Sequence, residues 1–280
     1  MLFSEAELSA ATFAFLAGLV YDRSRIRLGP DKRSLVAGRL ARHVEARGCT
    51  SFDEYCDLLR RPGADDEIGI LIDLITTNHT QFFREPAHFD ILTRDLLPTL
   101  ALHAAAADRP LRVWSAAAAS GEEPYSLAIV LAEQARQQPG FTWQVHASDI
   151  SRRMLDRCRL GIYDADKVKL PDPGLVPRYF RKGFGRREGA VRLKPEIRRQ
   201  VAVEHVNLFQ PNYPVPRGLD IVFCRNVMIY FDVDSRQELV GRLFDQLAPG
   251  GYLFVGHAES LLGLSHGFQT TRPGVYRRPA

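Results

Sequence analysis

Cysteine is scarce in this chain, and its four cysteines are widely spread. Cys49, Cys56, Cys158 and Cys224 form no C-x-x-C pair and show no metal-ligand spacing. This pattern indicates reduced thiols in a cytoplasmic protein rather than a disulfide framework. We predict no metal site from the sequence.

Signals for export and for membrane crossing are missing as well. The first seven residues, Met-Leu-Phe-Ser-Glu-Ala-Glu, lack the positively charged region of a secretory signal. The apolar run from Ala10 to Val20 is too short for a bilayer, which needs about 20 residues, and is typical of a core-facing helix. We therefore expect no direct membrane insertion.

A strong overall charge is absent, since the net charge of the 280 residues is only +4. Two segments are nevertheless basic: residues 21–47 hold eight Lys or Arg against three acids, and residues 178–199 hold nine against two. Such segments suggest surfaces that meet an acidic partner, although solvated helix and loop faces are the alternative. Because aromatic residues do not interleave with these charges, nucleic acid is not the predicted partner.

The first 75 residues predict an all-helical domain. Apolar residues between Leu8 and Val20 recur at helical spacing. Asp31 is the predicted cap of a second helix. Ser51 and Glu54 resemble a capping box before a helix over 52–59, and a fourth helix is predicted over 66–75.

From residue 111 onward, strands and helices alternate, which predicts a doubly wound parallel sheet. The predicted strands cover 111–115, 143–148, 201–205, 219–223 and 252–256, with helices over 122–138 and 234–247 and a closing hairpin over 268–276. Prolines and glycines interrupt this alternation and predict a small antiparallel β insertion at about 162–199. We predict domains at 1–75 and 96–280, joined by a linker over 76–95 that contributes to the cofactor site.

Polar residues follow the strand over 219–223 at once: Cys224, Arg225, Asn226 and Tyr230. The carboxyl ends of parallel strands are where open α/β sheets bind ligands. Burying an arginine and an asparagine there is costly unless a partner satisfies them. The spacing therefore predicts a ligand site.

The strand over 111–115 leads into a turn of small residues that ends at Gly121, and such a turn lets a ligand approach the backbone. Only Gly121 is expected at positive φ. The pattern G-x-G-x-x-G is absent, and Glu122 and Glu123 would repel a phosphate at the helix start. Carboxylates there suit hydroxyl, ammonium or sulfonium groups instead.

Two further strand ends carry polar residues. Asp149 follows the second strand and is suited to ribose hydroxyls, with a helix cap before Ser151 as the alternative. Asn207 and Leu208 follow the third strand, where the amide could meet an adenine edge or simply form a turn. Together the strand ends predict a nucleoside site.

Several ordered blocks resemble the chemotaxis receptor glutamate methyltransferases. These blocks are Thr76-Thr-Asn-His-Thr-Gln-Phe-Phe-Arg-Glu85, Arg112-Val-Trp-Ser, Gly121-Glu-Glu-Pro-Tyr-Ser126, Ala147-Ser-Asp-Ile150, Phe223-Cys-Arg-Asn-Val-Met-Ile-Tyr-Phe-Asp232 and Pro249-Gly-Gly-Tyr-Leu-Phe. The resemblance implies a Rossmann-like domain that binds S-adenosylmethionine, methylates receptor glutamates and releases S-adenosylhomocysteine.

The resemblance also implies roles for individual residues. Arg84 would hold the methionine carboxylate, and Tyr230 and Arg225 would be catalytic by orienting the acceptor. The implied cofactor residues are Asn78, Thr80, Arg84, Glu123, Asp149, Asn207, Leu208, Arg225 and Asn226.

The implied partner is the cytoplasmic domain of transmembrane chemoreceptors, including a C-terminal receptor tether in some members of the family. The expected receptor-facing residues are Arg33, Arg39, Arg42, Lys182, Arg186 and Arg187. Two alternatives remain open at this point. One is a methyltransferase on the same fold that acts on nucleic acid or a small molecule, and the other is a non-catalytic cofactor-binding signalling module.

Overall fold

A computed structural model describes residues 8–280, so the charge pattern of the first seven residues lies outside the described part. The chain divides into two compact units. The helical unit comprises Met1–Thr77 and Tyr230–Ser235, and the sheet unit comprises Asn78–Ile229 and Arg236–Ala280. Among the described residues, no helix is both long and apolar enough to cross a membrane.

Within its described residues, the helical unit contains the four helices that the sequence predicts: α1 (Ala10–Ser24), α2 (Arg33–Ala46), α3 (Phe52–Leu59) and α4 (Asp65–Ile75). Each buries an apolar face, and the fully buried side chains include Leu16, Val20, Val36, Leu40, Val44, Phe52, Tyr55 and Leu71. Burying one such side chain contributes roughly 1.5–3 kcal/mol, so the apolar spacing is what fixes these helices.

The helix starts follow the predicted capping in one case and not in the other. Ser51 Oγ accepts the backbone N–H of Glu54, and the Glu54 carboxylate accepts the N–H of Thr50. The prediction that Asp31 caps α2 is wrong. A 3-10 turn over Pro30–Lys32 runs directly into α2, and no side chain caps that helix.

The sheet unit contains a seven-stranded sheet in the order β6-β2-β1-β7-β8-β10-β9. The strands are β1 (Leu111–Ser115), β2 (Trp143–Asp149), β6 (Val201–His205), β7 (Leu219–Phe223), β8 (Leu247–Phe254), β9 (Gln269–Arg272) and β10 (Val275–Arg277). The first five are parallel, and β9 and β10 form the antiparallel closing hairpin. The doubly wound sheet and its hairpin are therefore confirmed.

Strand order reverses at β1, because the chain runs outward to β2 and β6 and then returns to place β7 on the other side of β1. Ser115 at the end of β1 lies in register with Phe223 at the end of β7. This is the topological switch point, where open α/β sheets form their ligand crevice.

Helices connect the strands and cover the sheet. Those of the sheet unit are α5 (Pro86–Ile91), α6 (Leu97–Ala106), α7 (Glu122–Gln137), α8 (Arg152–Leu160), α9 (Leu175–Tyr179), α10 (Pro195–Arg198) and α11 (Val233–Gln246), of which α11 begins in the helical unit. Residues 78–95, most of the linker predicted from the sequence, belong to the sheet unit and include α5 and part of a π-helical turn over Leu92–Leu96.

The predicted β insertion forms a separate antiparallel sheet in the order β3-β5-β4. Its strands are β3 (Ile162–Asp164), β4 (Phe180–Lys182) and β5 (Ala190–Leu193). The proline-rich stretch between β3 and β4 and the glycine-rich turn between β4 and β5 explain why the helical pattern fails here.

Candidate active site

Arg225, the second residue after β7, is the centre of a buried charge network. Its side chain is about 1% exposed. One terminal nitrogen donates to Glu123 Oε2 at 3.0 Å, and the other donates to Glu85 Oε2 at 2.8 Å and to the carbonyl of Arg84 at 2.7 Å. One guanidinium thus links the end of β7, the start of α7 and the segment before α5. Both terminal nitrogens of Arg225 already bind protein groups, and none of these contacts involves an acceptor. Its role in orienting an acceptor therefore stays a prediction.

Glu85 completes this network from a strained backbone position, with φ at +57°. Its second oxygen accepts Asn226 Nδ2 at 3.0 Å, and the backbone N–H of His257 donates to Oε2 at 3.2 Å. Burial by itself would raise the pKa of Glu85, but the hydrogen bonds from Arg225 and Asn226 lower it to about 2. Glu85 is therefore ionised at neutral pH.

Glu123 lies in the first turn of α7 and is buried. Ser115 Oγ, at the end of β1, donates to its Oε1 at 2.7 Å, while Arg225 holds its Oε2. Burial raises the pKa of the Glu123 carboxyl, and the neighbouring Arg225 opposes this shift. Both carboxylate oxygens of Glu123 therefore fix protein geometry at the switch point.

The turn after β1 is braced by Asp149 at the end of β2. Asp149 Oδ2 accepts the N–H of Ala119 at 2.8 Å, and Oδ1 accepts the N–H of Ser151 at 2.9 Å. Ala119 has φ at +45°, so the prediction that Gly121 alone takes positive φ in this turn is wrong. The bond to Asp149 stabilises a backbone conformation that costs an alanine about 1–2 kcal/mol. The cap of α8 is Ser151, whose Oγ accepts the N–H of Met154.

Gly121 is required by two independent constraints. Its φ is +103°, and a Cβ there would lie 2.7 Å from Cys158 Sγ and 2.8 Å from Tyr163 Oη. The turn therefore packs its backbone directly against α8 and β3.

Replacing Gly121 with alanine should cost more than backbone strain alone. We expect Gly121→Ala to lower the free energy of unfolding by about 1–3 kcal/mol beyond Gly140→Ala, because only the former overpacks the core. Gly140 is a matched control, with φ at +85° and open space around its Cβ position. Urea denaturation of both variants measures the difference. Equal losses would contradict the packing constraint.

Asn226 and Glu259 shape the loop after β7. Asn226 has φ at +58°, and its N–H donates to Glu259 Oε2 at 2.7 Å. The same oxygen accepts Gly256 N–H at 2.6 Å, and Oε1 accepts Ile229 N–H at 3.3 Å. A buried carboxylate with three backbone donors therefore holds the ends of β7 and β8 together.

The end of β6 carries Asn207 and Leu208 in a tight turn. Asn207 Oδ1 accepts the N–H of Phe209 at 3.0 Å, as in an Asx-turn. Leu208 is buried, and its carbonyl accepts the hydroxyl of Tyr213. These contacts account for the asparagine as a turn residue, and its contact with an adenine stays a prediction.

The segment over 78–85 lies beside these strand ends within the sheet unit. Arg84 is half-buried and donates to the carbonyl of His79 at 2.9 Å. Asn78 and Thr80 are also partly exposed. Thr80 lines a cavity of about 720 Å³ together with Ser120, Glu122 and residues of the small sheet.

Tyr230 belongs to the helical unit rather than the sheet unit. There its carbonyl accepts the N–H of Arg27 at 2.9 Å. The same short segment contributes Asp232, whose carboxylate accepts the hydroxyl of Tyr21 at 2.6 Å. The structure thus joins Arg225, Asn226 and Glu123 in one network, while the chain passes into the other unit at Tyr230.

The six expected receptor-facing residues differ in their surroundings. Arg39 donates to the carbonyls of Ile75 and Thr76, so it holds the end of α4. At 100° per residue, Arg33 and Arg42 lie about 180° apart on α2, and Arg33 shares the side of the buried apolar residues. The remaining group, Lys182, Arg186 and Arg187, is exposed on the hairpin between β4 and β5.

Sequence reasoning missed Glu85, Ser115 and Glu259 as parts of this site. Glu85 is the last residue of one of the sequence blocks that resemble the methyltransferase family. A local sequence pattern cannot indicate that its carboxylate pairs with Arg225, which is 140 positions away. Glu259 lies beyond the predicted strand over 252–256, where an acid is normally solvent-exposed. Only its three backbone donors reveal its role.

Comparison with known proteins covers nearly the whole chain. The family model of the CheR methyltransferase SAM-binding domain matches residues 78–276. The family model of the CheR methyltransferase all-alpha domain matches residues 11–76. The chain belongs to the CheR methyltransferase family. It is a methyltransferase whose larger domain binds S-adenosylmethionine.

Relatives of this CheR-family chain share a common name and match it over almost their full length. Proteins named chemotaxis protein methyltransferase from Salmonella typhimurium and Escherichia coli are each 41% identical over 269 residues, covering 96% of this chain and 90% and 91% of theirs. A chemotaxis protein methyltransferase 2 from Pseudomonas aeruginosa is 38% identical, covering 92% of this chain and 89% of its own.

The donor set of this CheR-family site fits S-adenosylmethionine, which carries a sulfonium cation and a nucleoside. The turn from Ala116 to Ala119 consists of alanines, three of them buried, and such small side chains let a ligand approach the backbone. The carboxylates of Glu85 and Glu123 share one guanidinium, that of Arg225, and Asp149 adds a further negative charge at the end of β2, so the remaining negative charge favours a cationic ligand over a phosphate.

Proposed function

We propose that this chain transfers a methyl group from S-adenosylmethionine to glutamate carboxylates of chemotaxis receptors, giving methyl esters and S-adenosylhomocysteine. The observation that carries the proposal is the acidic network around Arg225 at the switch point of a CheR-family sheet. The chemoreceptors of the proposal are transmembrane proteins, and the reaction takes place at their cytoplasmic domains.

The acceptor chemistry needs no general base. A glutamate side chain has an ordinary pKa of about 4.3, so it is ionised at neutral pH and there is almost no proton to remove. The bound cofactor supplies an electrophilic methyl group on sulfur. Rate enhancement then comes from alignment of the reacting atoms, for which well-oriented groups contribute up to roughly 7–11 kcal/mol.

In this proposal, each group at the strand ends either binds the cofactor or holds a binding group in place. Arg84 would bind the methionine carboxylate through its guanidinium, while its carbonyl is fixed by Arg225. Asp149 would accept the ribose hydroxyls from the position in which it braces Ala119. Arg225 is then a positioning residue, because its contacts hold Glu85 and Glu123.

The remaining proposed cofactor residues complete the two sides of the binding site. Asn78 and Thr80 would approach from the segment before α5, and Asn207, Leu208 and Asn226 would face the adenine and methyl side. Support for this grouping comes from their positions after β6 and β7 and within 78–85.

Tyr230→Phe should separate catalysis from cofactor binding. We expect kcat to fall about 10–100-fold, because losing the hydroxyl leaves the acceptor carboxylate poorly oriented, while the Kd for S-adenosylhomocysteine changes little. Steady-state methylation kinetics and isothermal titration calorimetry measure the two quantities. A collapse of cofactor affinity with this variant would assign Tyr230 to cofactor binding instead.

For receptor recognition, we propose the exposed cations Arg42, Lys182, Arg186 and Arg187 as the groups that meet acidic receptor segments. The last three share one hairpin, which suits docking of a short acidic tether at a receptor C-terminus. Arg33 and Arg39 are left out of this set, because Arg33 shares the buried side of α2 and the guanidinium of Arg39 already binds the end of α4.

The decisive experiment is incubation with labelled S-adenosylmethionine and receptor-containing membranes, followed by alkaline release of methanol. Base-labile label on the receptor is the expected result. Label on added RNA instead would favour the alternative methyltransferase. Binding of S-adenosylhomocysteine without any methyl transfer would favour a non-catalytic signalling module.

A further inference from the structure

His88, in α5, is a buried imidazole that the proposed methyl transfer does not use. Its side chain is 1% exposed, and neither ring nitrogen makes a hydrogen bond within the described chain. Buried polar groups are almost always hydrogen-bonded, so a buried imidazole with no hydrogen bond at either nitrogen needs an explanation. The ring also packs closely against the backbone of Gly274, since a Cβ added to that glycine would lie 2.9 Å from His88 Nε2.

Two potential metal ligands lie beside this ring. Glu85 Oε2 is 3.4 Å from His88 Nδ1, and His257 Nε2 is 3.9 Å from the same carboxylate oxygen. The three ligand atoms all lie within 4.8 Å of one another. Ligands of a tetrahedral zinc ion at ordinary bond lengths are separated by roughly 3.4 Å. The side chain of His257 is 54% exposed, so solvent rather than packed protein surrounds much of it and leaves it room to adjust toward a bound ion.

We propose that Glu85, His88 and His257 form a zinc-binding site at the surface of the sheet unit, beside the methyl-transfer site. Two imidazoles and one carboxylate are a ligand set that zinc prefers, and water at the exposed side would complete the tetrahedron. This inference does not depend on the proposed function. No sequence pattern indicated the site, because residues 85 and 257 are 172 positions apart.

The charge around the site is compatible with a divalent cation. Arg225 lies 2.8 Å from Glu85 and opposes the cation, but it also binds Glu123 at 3.0 Å. Two carboxylates thus share one guanidinium. Carboxylates that ligate metals are commonly hydrogen-bonded by a second layer of groups, and Arg225 and Asn226 already occupy that position on Glu85.

The test is a titration of the chelator-treated full chain with Zn²⁺ against a competing chromophoric chelator. We expect one saturable equivalent in the unaltered protein and at least about tenfold weaker binding in His257→Ala. His257 is exposed, so this variant should fold normally, which circular dichroism checks. His103→Ala is the matched control, since His103 is an exposed histidine on α6 outside the cluster, and it should bind as the unaltered chain does.

Cobalt provides a second readout that does not depend on enzyme activity. Co²⁺ added to the unaltered chain should give the d–d absorption of a tetrahedral site, and His257→Ala should lose that absorption. Equal zinc affinity in His257→Ala and the unaltered chain, or no saturable binding in the unaltered chain, would overturn the proposal.

Discussion

Arg225→Met is expected to destabilise the protein by about 3–5 kcal/mol and to lower kcat/KM for methyl transfer by about 10²-fold. The stability loss arises because Glu85 and Glu123 would each lose a buried charged partner, and breaking a buried ion pair from one side leaves an uncompensated charge. The activity loss arises because Arg225 fixes the segment that carries Arg84, and a displacement of about 1 Å in such a group costs about 10²-fold. Urea denaturation and methylation kinetics measure the two effects.

Three companion variants sharpen this prediction. Arg225→Lys keeps the charge but loses the planar fork, so it should fall between the unaltered chain and Arg225→Met. Arg181→Met changes an exposed arginine on β4 and should alter stability by no more than about 0.5 kcal/mol. Combining Arg225→Met with Glu123→Gln should cost less than the sum of the single changes, because the stranded carboxylate becomes neutral. Simple additivity would contradict the coupling.

Glu259→Gln should destabilise the protein by about 1–3 kcal/mol and weaken binding of S-adenosylhomocysteine. A glutamine has one acceptor oxygen, whereas the carboxylate of Glu259 accepts Asn226 N–H and Gly256 N–H on one oxygen and Ile229 N–H on the other. At least one buried donor is therefore left without an acceptor, which costs about that amount. The loop at Asn226 would relax from its positive φ and shift a proposed cofactor residue.

Denaturation and calorimetry on the same preparation test this second prediction. The matched control makes the same chemical change at Glu238, an exposed glutamate on α11. Glu238→Gln should lose only a surface pair with Arg242 and change stability by no more than about 1 kcal/mol. If Glu259→Gln unfolds at the same urea concentration as Glu238→Gln, the three backbone hydrogen bonds do not brace the loop.

Much of the fold was predictable because local patterns and global packing agree. The apolar spacing of α1 and the Ser51 cap of α3 are consequences of neighbouring residues alone. The run over 219–223 is buried at every position, as expected for a central parallel strand. In contrast, Asp31 failed as a cap because a proline-initiated 3-10 turn competes for the same residues.

The candidate site was predictable only in part. Arg225 and Asp149 could be chosen because polar residues that follow buried strands have few structural uses. The partners that engage them could not be chosen, because Glu85 is 140 positions from Arg225 and Ala119 is 30 positions from Asp149. Ala119 at positive φ also contradicts a local rule, and the bond to Asp149 compensates for that strain.

The sequence by itself determined the helices of the helical unit, the central parallel strands, the family and the types of residue at the strand ends, because these depend on short-range periodicity and on contiguous motifs. Tertiary structure alone decided which of those residues are held by other protein groups. Arg225 became the buried link between two carboxylates, and His88 came to lie beside Glu85 and His257. The physical reason is that hydrogen bonds and ligand geometry depend on distances in space. For residues far apart in the sequence, those distances are set only when the chain folds.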